Sequence, residues 1–353
     1  MKSLKILVLV HEHLIPPPKA TPDEVLAAEW RAEYDVVRCL EELGHEVRVV
    51  GVVDKLEPIR QALAGSLADS LAGRGGFEGP PDLAFNLIES FDAVPHFDQN
   101  VVAYLELQKI KYTGCSARGL MLARDKALTK KLLAYHRIRV PDFAVVARGK
   151  TFRRPKRFAL PLFVKTVGFD ASVGISQASV VDSDEKLAER IRFIHESCGT
   201  PALVESYIEG RELYVGVLGN DRLTALPVWE MRFENMADGA HKIATERLKW
   251  NLDYQKRHGI VSGAAQDLPE GLGPKLQQLA KRICRVLYLT GYNRIDLRLT
   301  AAGQPYVIEA NPNPQIARGE DLAEAANAAG LDYPALIRRI LSHGLDWEPA
   351  EIS

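Results

Sequence analysis

Asn293-Arg294-Ile295-Asp296-Leu297-Arg298-Leu299-Thr300 is followed by Ala301-Ala302-Gly303-Gln304 and then by Pro305-Tyr306-Val307-Ile308-Glu309-Ala310-Asn311. The two alternating runs read as a hairpin with a four-residue turn. Successive side chains on a strand point to opposite faces, so Ile295, Leu297 and Leu299 take one face and Arg294, Asp296 and Arg298 the other. On the returning strand Val307, Glu309 and Asn311 are expected on a common face. If Thr300 pairs with Pro305, Asp296 lies opposite Glu309 and Arg294 opposite Asn311. Like charges facing each other, with Cβ atoms about 5 Å apart, destabilise a sheet. A bound cation removes that conflict. Two carboxylates and an amide oxygen suit Mg²⁺, a hard cation that takes oxygen ligands and shares its other positions with water and phosphate. A plain solvated charged face is the other reading of the hairpin. Pro312-Asn313-Pro314 ends the strand.

Outward from the hairpin, strands and helices alternate in an α/β pattern. Residues 4–10 are a continuous apolar run, as in a buried parallel strand. A helical pattern over 23–43, stopped by Gly44, and a strand over 45–50 complete a β-α-β unit. Residues 65–81 read as a loop, 83–88 as a strand and 96–108 as a helix. A second unit opens with a helix over 118–135. Strands at 143–146, 162–165 and 174–181 follow, then a helix capped by Ser183 and a strand at 202–208. The remainder carries further strands, a helix over 276–289 and two final helices. Residues 232–266 are polar and weakly periodic, a functional loop or a tolerated surface insertion. The domains are expected at 1–117, 118–210 and 211–353.

Composition narrows the classes. Hydrophobic residues are 46% and charged residues 26%, enough for a large core. Lysine plus arginine number 45 against 46 acidic residues, which argues against a nucleic-acid binder working by bulk positive charge. Cys39, Cys115, Cys198 and Cys284 have no zinc or redox spacing and read as reduced cytosolic thiols. The N-terminal apolar run is too short for a signal or membrane helix, so a cytoplasmic protein is expected.

Asn293-Arg294-Ile295-Asp296 followed by Ile308-Glu309-Ala310-Asn311 resembles the metal-binding signature of the ATP-grasp superfamily, in particular its D-alanine–D-alanine ligase-like branch. Four further segments match it in order. Tyr112-Thr113-Gly114-Cys115-Ser116 with Ala123-Arg124-Asp125-Lys126 looks like the entry to the central domain. Phe163-Val164-Lys165 and the loop from Gly168 to Ser176 look like a second phosphate lysine and a phosphate-covering loop. Residues 204–212 look like the adenine and ribose strand.

The resemblance implies an N-terminal Rossmann-like domain, followed by central and C-terminal α+β lobes that clasp ATP. By it, Lys126 and Lys165 reach the ATP phosphates, and Lys249 does so on a looser alignment. Glu205 accepts from the adenine amino group, Tyr207 and Ile208 meet the adenine edge, and Glu212 takes the ribose hydroxyls. Asp296, Glu309 and Asn311 hold the metal, and Arg294 and Ser172 serve catalysis. ATP and Mg²⁺, as two ions replaceable by Mn²⁺, are the implied cofactors. The implied partners are a small-molecule carboxylate and an amine, with no nucleic acid or membrane, and a homodimer is allowed. The implied reaction is phosphoryl transfer to the carboxylate, then attack of an amine on the acyl phosphate.

The chain departs from the ligases just past the hairpin. Where they carry a Thr-x-Pro-Gly-Met-Thr run and a serine for the second substrate's carboxylate, it has Gln315 at the glycine position and Glu320 at the serine position. Near their substrate histidine it has Leu87-Ile88-Glu89-Ser90. An acidic side chain repels a carboxylate. The expected acceptor is therefore not D-alanine but a cationic or side-chain amine, met by Glu89, Glu320 or Asp321, unless the last two only cap the next helix. A phosphotransferase and a non-catalytic nucleotide binder are the alternatives on the same fold. Gly149-Lys150-Thr151 lacks the first glycine of a P-loop, and Gly114-Cys115-Ser116-Ala117-Arg118 lacks the last glycine of a nucleophile elbow.

Overall fold

The structure, a computed structural model, describes residues 2–65, 77, 79–168, 174–236, 241–243, 245 and 252–348. Three sheets carry the chain. The first is parallel, in the order β2-β1-β3, from β1 (Lys5–His11), β2 (Glu46–Val52) and β3 (Leu83–Asn86). The apolar run of β1 is buried on both faces. Leu7 and Leu9 join one core, while Ile6, Val8 and Val10 join a second with Val36, Val37 and Leu40 of the helix Arg31–Glu42. The sequence pattern over 23–43 is not one helix. Pro22–Ala27 is a separate helix, started by a capping box between Thr21 and Glu24, and extended backbone at Ala28 stops it. Gly44, at φ 83°, ends the second helix as expected.

The second sheet is antiparallel, in the order β4-β7-β5-β6, from β4 (Phe143–Val146), β5 (Leu162–Thr166), β6 (Val180–Val181) and β7 (Ala202–Ser206). Only the last two residues of the strand expected at 174–181 pair, because the turn Gln177–Ser179 precedes them. The helix Asp184–Ser197, capped by Ser183, packs Leu187, Ile191 and Ile194 against Val164 and Val204 in a core of its own.

The third sheet is antiparallel, in the order β10-β9-β8-β11-β12, from β8 (Arg211–Leu218), β9 (Thr224–Phe233), β10 (Ile260–Ala264), β11 (Tyr292–Leu299) and β12 (Pro305–Pro312). Its outer strands correct the reading of 232–266 as irregular: β9 runs on to Phe233 and pairs there with β10. Leu213, Val215 and Val217 of β8 face the helix Leu272–Val286, while Tyr214 and Leu218 join Leu322 of the helix Asp321–Ala328 on the other side. The cores bordering this sheet also take in β1, so the first and third sheets share their packing while the second keeps its own. Among the described residues no helix is long and apolar enough to cross a membrane.

Candidate active site

The hairpin of β11 and β12 sets Asp296 opposite Glu309 and Arg294 opposite Asn311. The route to that register differs from the expectation. Leu299, not Thr300, pairs with Pro305, and a bulge after Asp296 lets Leu297 pair with Val307. Thr300 belongs to the loop, where its N–H donates to the Gln304 carbonyl. Ile308 is the extra residue, and it restores the alignment one step later. The bulge also breaks the alternation. Val307 is buried in the core with Ala310, and does not share the face of Glu309 and Asn311.

The facing carboxylates are already compensated. Arg294 grips Asp296 with two bonds of 2.8 and 3.0 Å, and Asn311 Nδ2 donates to Asp296 Oδ2 at 2.9 Å. Lys126 Nζ lies 2.8 Å from Glu309 Oε1. Lys126 is placed by a break in the helix expected over 118–135. The helix Ala117–Arg124 stops at Asp125, whose Oδ1 accepts from the N–H groups of Ala127 and Leu128 to start the helix Lys126–Tyr135. Lys126 is thus a first-turn residue beside β12. Asp296, Glu309 and Asn311 offer two carboxylates and an amide oxygen within one small patch, a donor set that fits Mg²⁺.

A cleft opens beside this patch, lined by residues that include Lys165, Glu205, Tyr207, Ile208, Glu212, Arg294, Asp296 and Glu309. Lys165 Nζ is 3.4 Å from one carboxylate oxygen of Glu205, and Lys130 Nζ is 3.1 Å from the other. Lys130 also donates to the carbonyl of the bulged Ile308 at 3.1 Å, which ties the two lobes together. Burial lowers its pKa, and nearby Lys165 adds to that, while Glu205 opposes. Glu212 accepts from Tyr214 at 2.8 Å and from Arg298 at 2.6 Å. The Tyr214 ring lies 4.8 Å beneath the Arg294 guanidinium.

Sequence reasoning missed Lys130, Tyr214 and Arg298. The one signal for Lys130 is its place four residues after Lys126, on the same face of a helix. Ser172 and Lys249 lie outside the described residues.

A second cavity lies between the first sheet and the segment after Asn311. Glu89 and Gln315 line it. Glu320 does not. Its carboxylate pairs with Arg31 at 3.4 Å, and it occupies the N-cap position of the next helix without a side-chain capping bond. Asp321, in the first turn, accepts from Ser262 at 2.5 Å. The segment is anchored by Asn313, which accepts the Cys115 N–H at 2.8 Å. A Cβ on Gly114, at φ 96°, would lie 2.6 Å from that same oxygen.

A family model described as "D-ala D-ala ligase C-terminus" matches residues 132–342. The D-alanine–D-alanine ligase of Bordetella petrii is 33% identical over 253 residues, covering 69% of this chain and 71% of its own length. "Uncharacterized protein y4sG" of Sinorhizobium fredii is 30% identical over 329 residues, covering 92% and 89%. Among solved structures, the Bacillus anthracis D-alanine–D-alanine ligase complexed with ATP superposes with a TM-score of 0.72 at 18% identity, over 97% of this chain and 98% of that one. The Coxiella burnetii ligase gives 0.67 at 20% identity, over 98% and 95%. The fold is that of the ATP-grasp enzymes.

Proposed function

We propose, from the premise that this chain belongs to the D-alanine–D-alanine ligase family, that it joins a carboxylate to an amine other than D-alanine through an acyl phosphate. The observation that carries the reading is the cleft itself. The third sheet presents Arg294, Asp296, Glu309 and Glu212 to it, the second sheet presents Lys165 and Glu205, and Tyr207 and Ile208 line it from the segment that joins the two sheets. Lys165 and Lys130 bring two buried cations against the single negative charge of Glu205, a surplus suited to ATP phosphates. Lys126 contributes a third cation beside Glu309.

Asp296, Glu309 and Asn311 would hold Mg²⁺, as one ion or two or with Mn²⁺ in its place, and the ion supplies charge neutralisation for the transferring phosphoryl group. In the first step a donor carboxylate oxygen bonds to the γ-phosphorus of ATP and ADP leaves. In the second, a neutral amine adds to the acyl carbon, phosphate departs with the C–O electron pair, and the proton lost by the amine passes to the departing phosphate. Arg294 is held by Asp296 and by the Tyr214 ring, which supports a role in stabilising the oxyanion of that second step. The reaction would run on small molecules in the cytoplasm.

The acceptor reading is supported by the second cavity, which Glu89 and Gln315 line. Hydroxylamine added to protein, Mg-ATP and a pool of carboxylates and amines should yield a hydroxamate with ADP release. A stable phosphorylated product would instead support a phosphotransferase, and no turnover a binder. Efficient dipeptide formation from D-alanine alone would sink the acceptor assignment.

A further inference from the structure

The second cavity is acidic and its walls are incomplete as they stand. Glu29, Glu33 and Glu89 line it together with His13, and among the described residues no lysine or arginine lines it. Glu33 projects from the helix Arg31–Glu42 and is only 6% exposed, yet its Oε2 has no hydrogen-bond partner among the described residues. Asn86, at the end of β3, is 1% exposed. Its Oδ1 accepts the Ile88 N–H at 3.2 Å, which leaves the amide nitrogen as a donor, and that nitrogen also has no partner among the described residues. A buried carboxylate oxygen and a buried amide nitrogen left open on one cavity are costly in a folded chain unless water or a ligand completes them.

The cavity is placed to receive a substrate of the neighbouring cleft. Tyr292 lines it, and Tyr292, Arg294 and Asp296 alternate along β11 with the core residues Ile295 and Leu297. At two residues of strand rise, Tyr292 lies about 7 Å along the strand from Arg294. Glu33 and Glu89 act electrostatically on Tyr292, so the acidic end of the cavity adjoins the strand that carries Arg294.

We infer that Glu33, Glu89 and Asn86 form an anchoring subsite for an amine acceptor with two amino groups: one remains a charged ammonium at Glu33 and Glu89, beside an oxygen that accepts from Asn86, while the other is the nucleophile. An ammonium that stays charged at Glu33 has no lone pair to attack with, so the nucleophile is the second amino group. The role of this ligand as acceptor rests on the ligase reading above. The subsite itself is read by binding alone.

The test is calorimetric titration of the full chain, without ATP, with lysinamide, putrescine, n-butylamine and D-alanine at low and high salt. Lysinamide should bind tightest, putrescine next, and the single-amine compounds weakest, with affinity falling as salt rises. Glu33→Gln and Glu89→Gln should each weaken lysinamide by roughly 10-fold or more while ATP binding stays unchanged. Glu33→Gln keeps the side-chain shape and removes a buried charge, and Glu89→Gln gives a second reading if that variant does not fold. Lysinamide binding no tighter than n-butylamine, or unaltered by both substitutions, overturns the subsite. If lysinamide binds as expected but yields no ADP with any carboxylate, the subsite stands and the ligase reading fails.

Discussion

Glu205 is the counter-charge of two buried lysines, so replacing it should cost more than removing either of them. Lys130, Lys165 and Glu205 have side chains exposed by 2%, 4% and 3%, too little for water to screen them. Glu205→Gln leaves two ammonium groups close together without their shared anion, and breaking a buried pair this way costs about 3–5 kcal/mol. Lys130→Met leaves Glu205 with Lys165 and forfeits chiefly the bond to the Ile308 carbonyl, a cost of about 1–3 kcal/mol. The two also differ in their pH dependence. Burial already lowers the Lys130 pKa, with Glu205 opposing, and losing Glu205 depresses it further. A lysine whose pKa is depressed in the folded state loses stability as pH falls below its unfolded value, so the deficit of Glu205→Gln should shrink from about pH 7 to about pH 9. Urea unfolding, read as midpoint and slope at both values, measures this. A Lys130→Met cost equal to or above that of Glu205→Gln, or a flat pH dependence of the latter, would refute the shared-anion account.

Glu309→Gln should abolish ADP release while shifting stability by about 1–2 kcal/mol, since the glutamine oxygen still accepts from Lys126; full activity in an ADP-release assay would remove the basis for the metal assignment. Asp125→Ala should cost about 1 kcal/mol in a thermal melt by losing the cap, and should raise KM for ATP by loosening Lys126. Burial, reinforced by Glu89, raises the Glu33 carboxyl from 4.5 to about 7. The folded state then binds its proton more tightly, so stability should fall as pH rises from 4.5 to about 7, by an upper bound of about 3 kcal/mol. Glu29, Glu89, His13 and Tyr292 face the same space, and a urea series through that window on wild type and Glu33→Gln should show the slope only in the former.

The parts of the fold that burial controls were legible in the sequence. The unbroken apolar run of β1 gave a strand covered on both faces, and Gly44 marked a helix end that its positive φ confirms. The breaks at Ala28 and Asp125 were not legible, because apolar periodicity runs straight across them. A capping side chain acts over two or three residues and leaves the longer pattern intact. Asp125 matters most, since the break puts Lys126 at a helix start rather than in mid-helix. Lys130 was hidden for a different reason. A lysine in an amphipathic stretch is ordinarily solvated. Its burial follows from Glu205 and Ile308, which come from strands of two other sheets.

The hairpin shows both the reach and the limit of local reasoning. Its facing residues were correctly paired from an incorrect turn, because an extra residue in the loop and an extra residue at Ile308 offset each other. Alternation could not reveal the bulge, since Val307, Ile308 and Ala310 are all apolar and any of them can face a core. The sequence reading left relief of the charge conflict to a bound metal ion. Two of the cations were already in the chain: Arg294 two residues from Asp296, and Lys126 brought across by the helix that Asp125 starts. An adjacent arginine could have been weighed from the hairpin alone. A lysine supplied by another lobe could not, because its contribution depends on how that lobe packs against β12, and the alternation of a single strand carries no information about that packing.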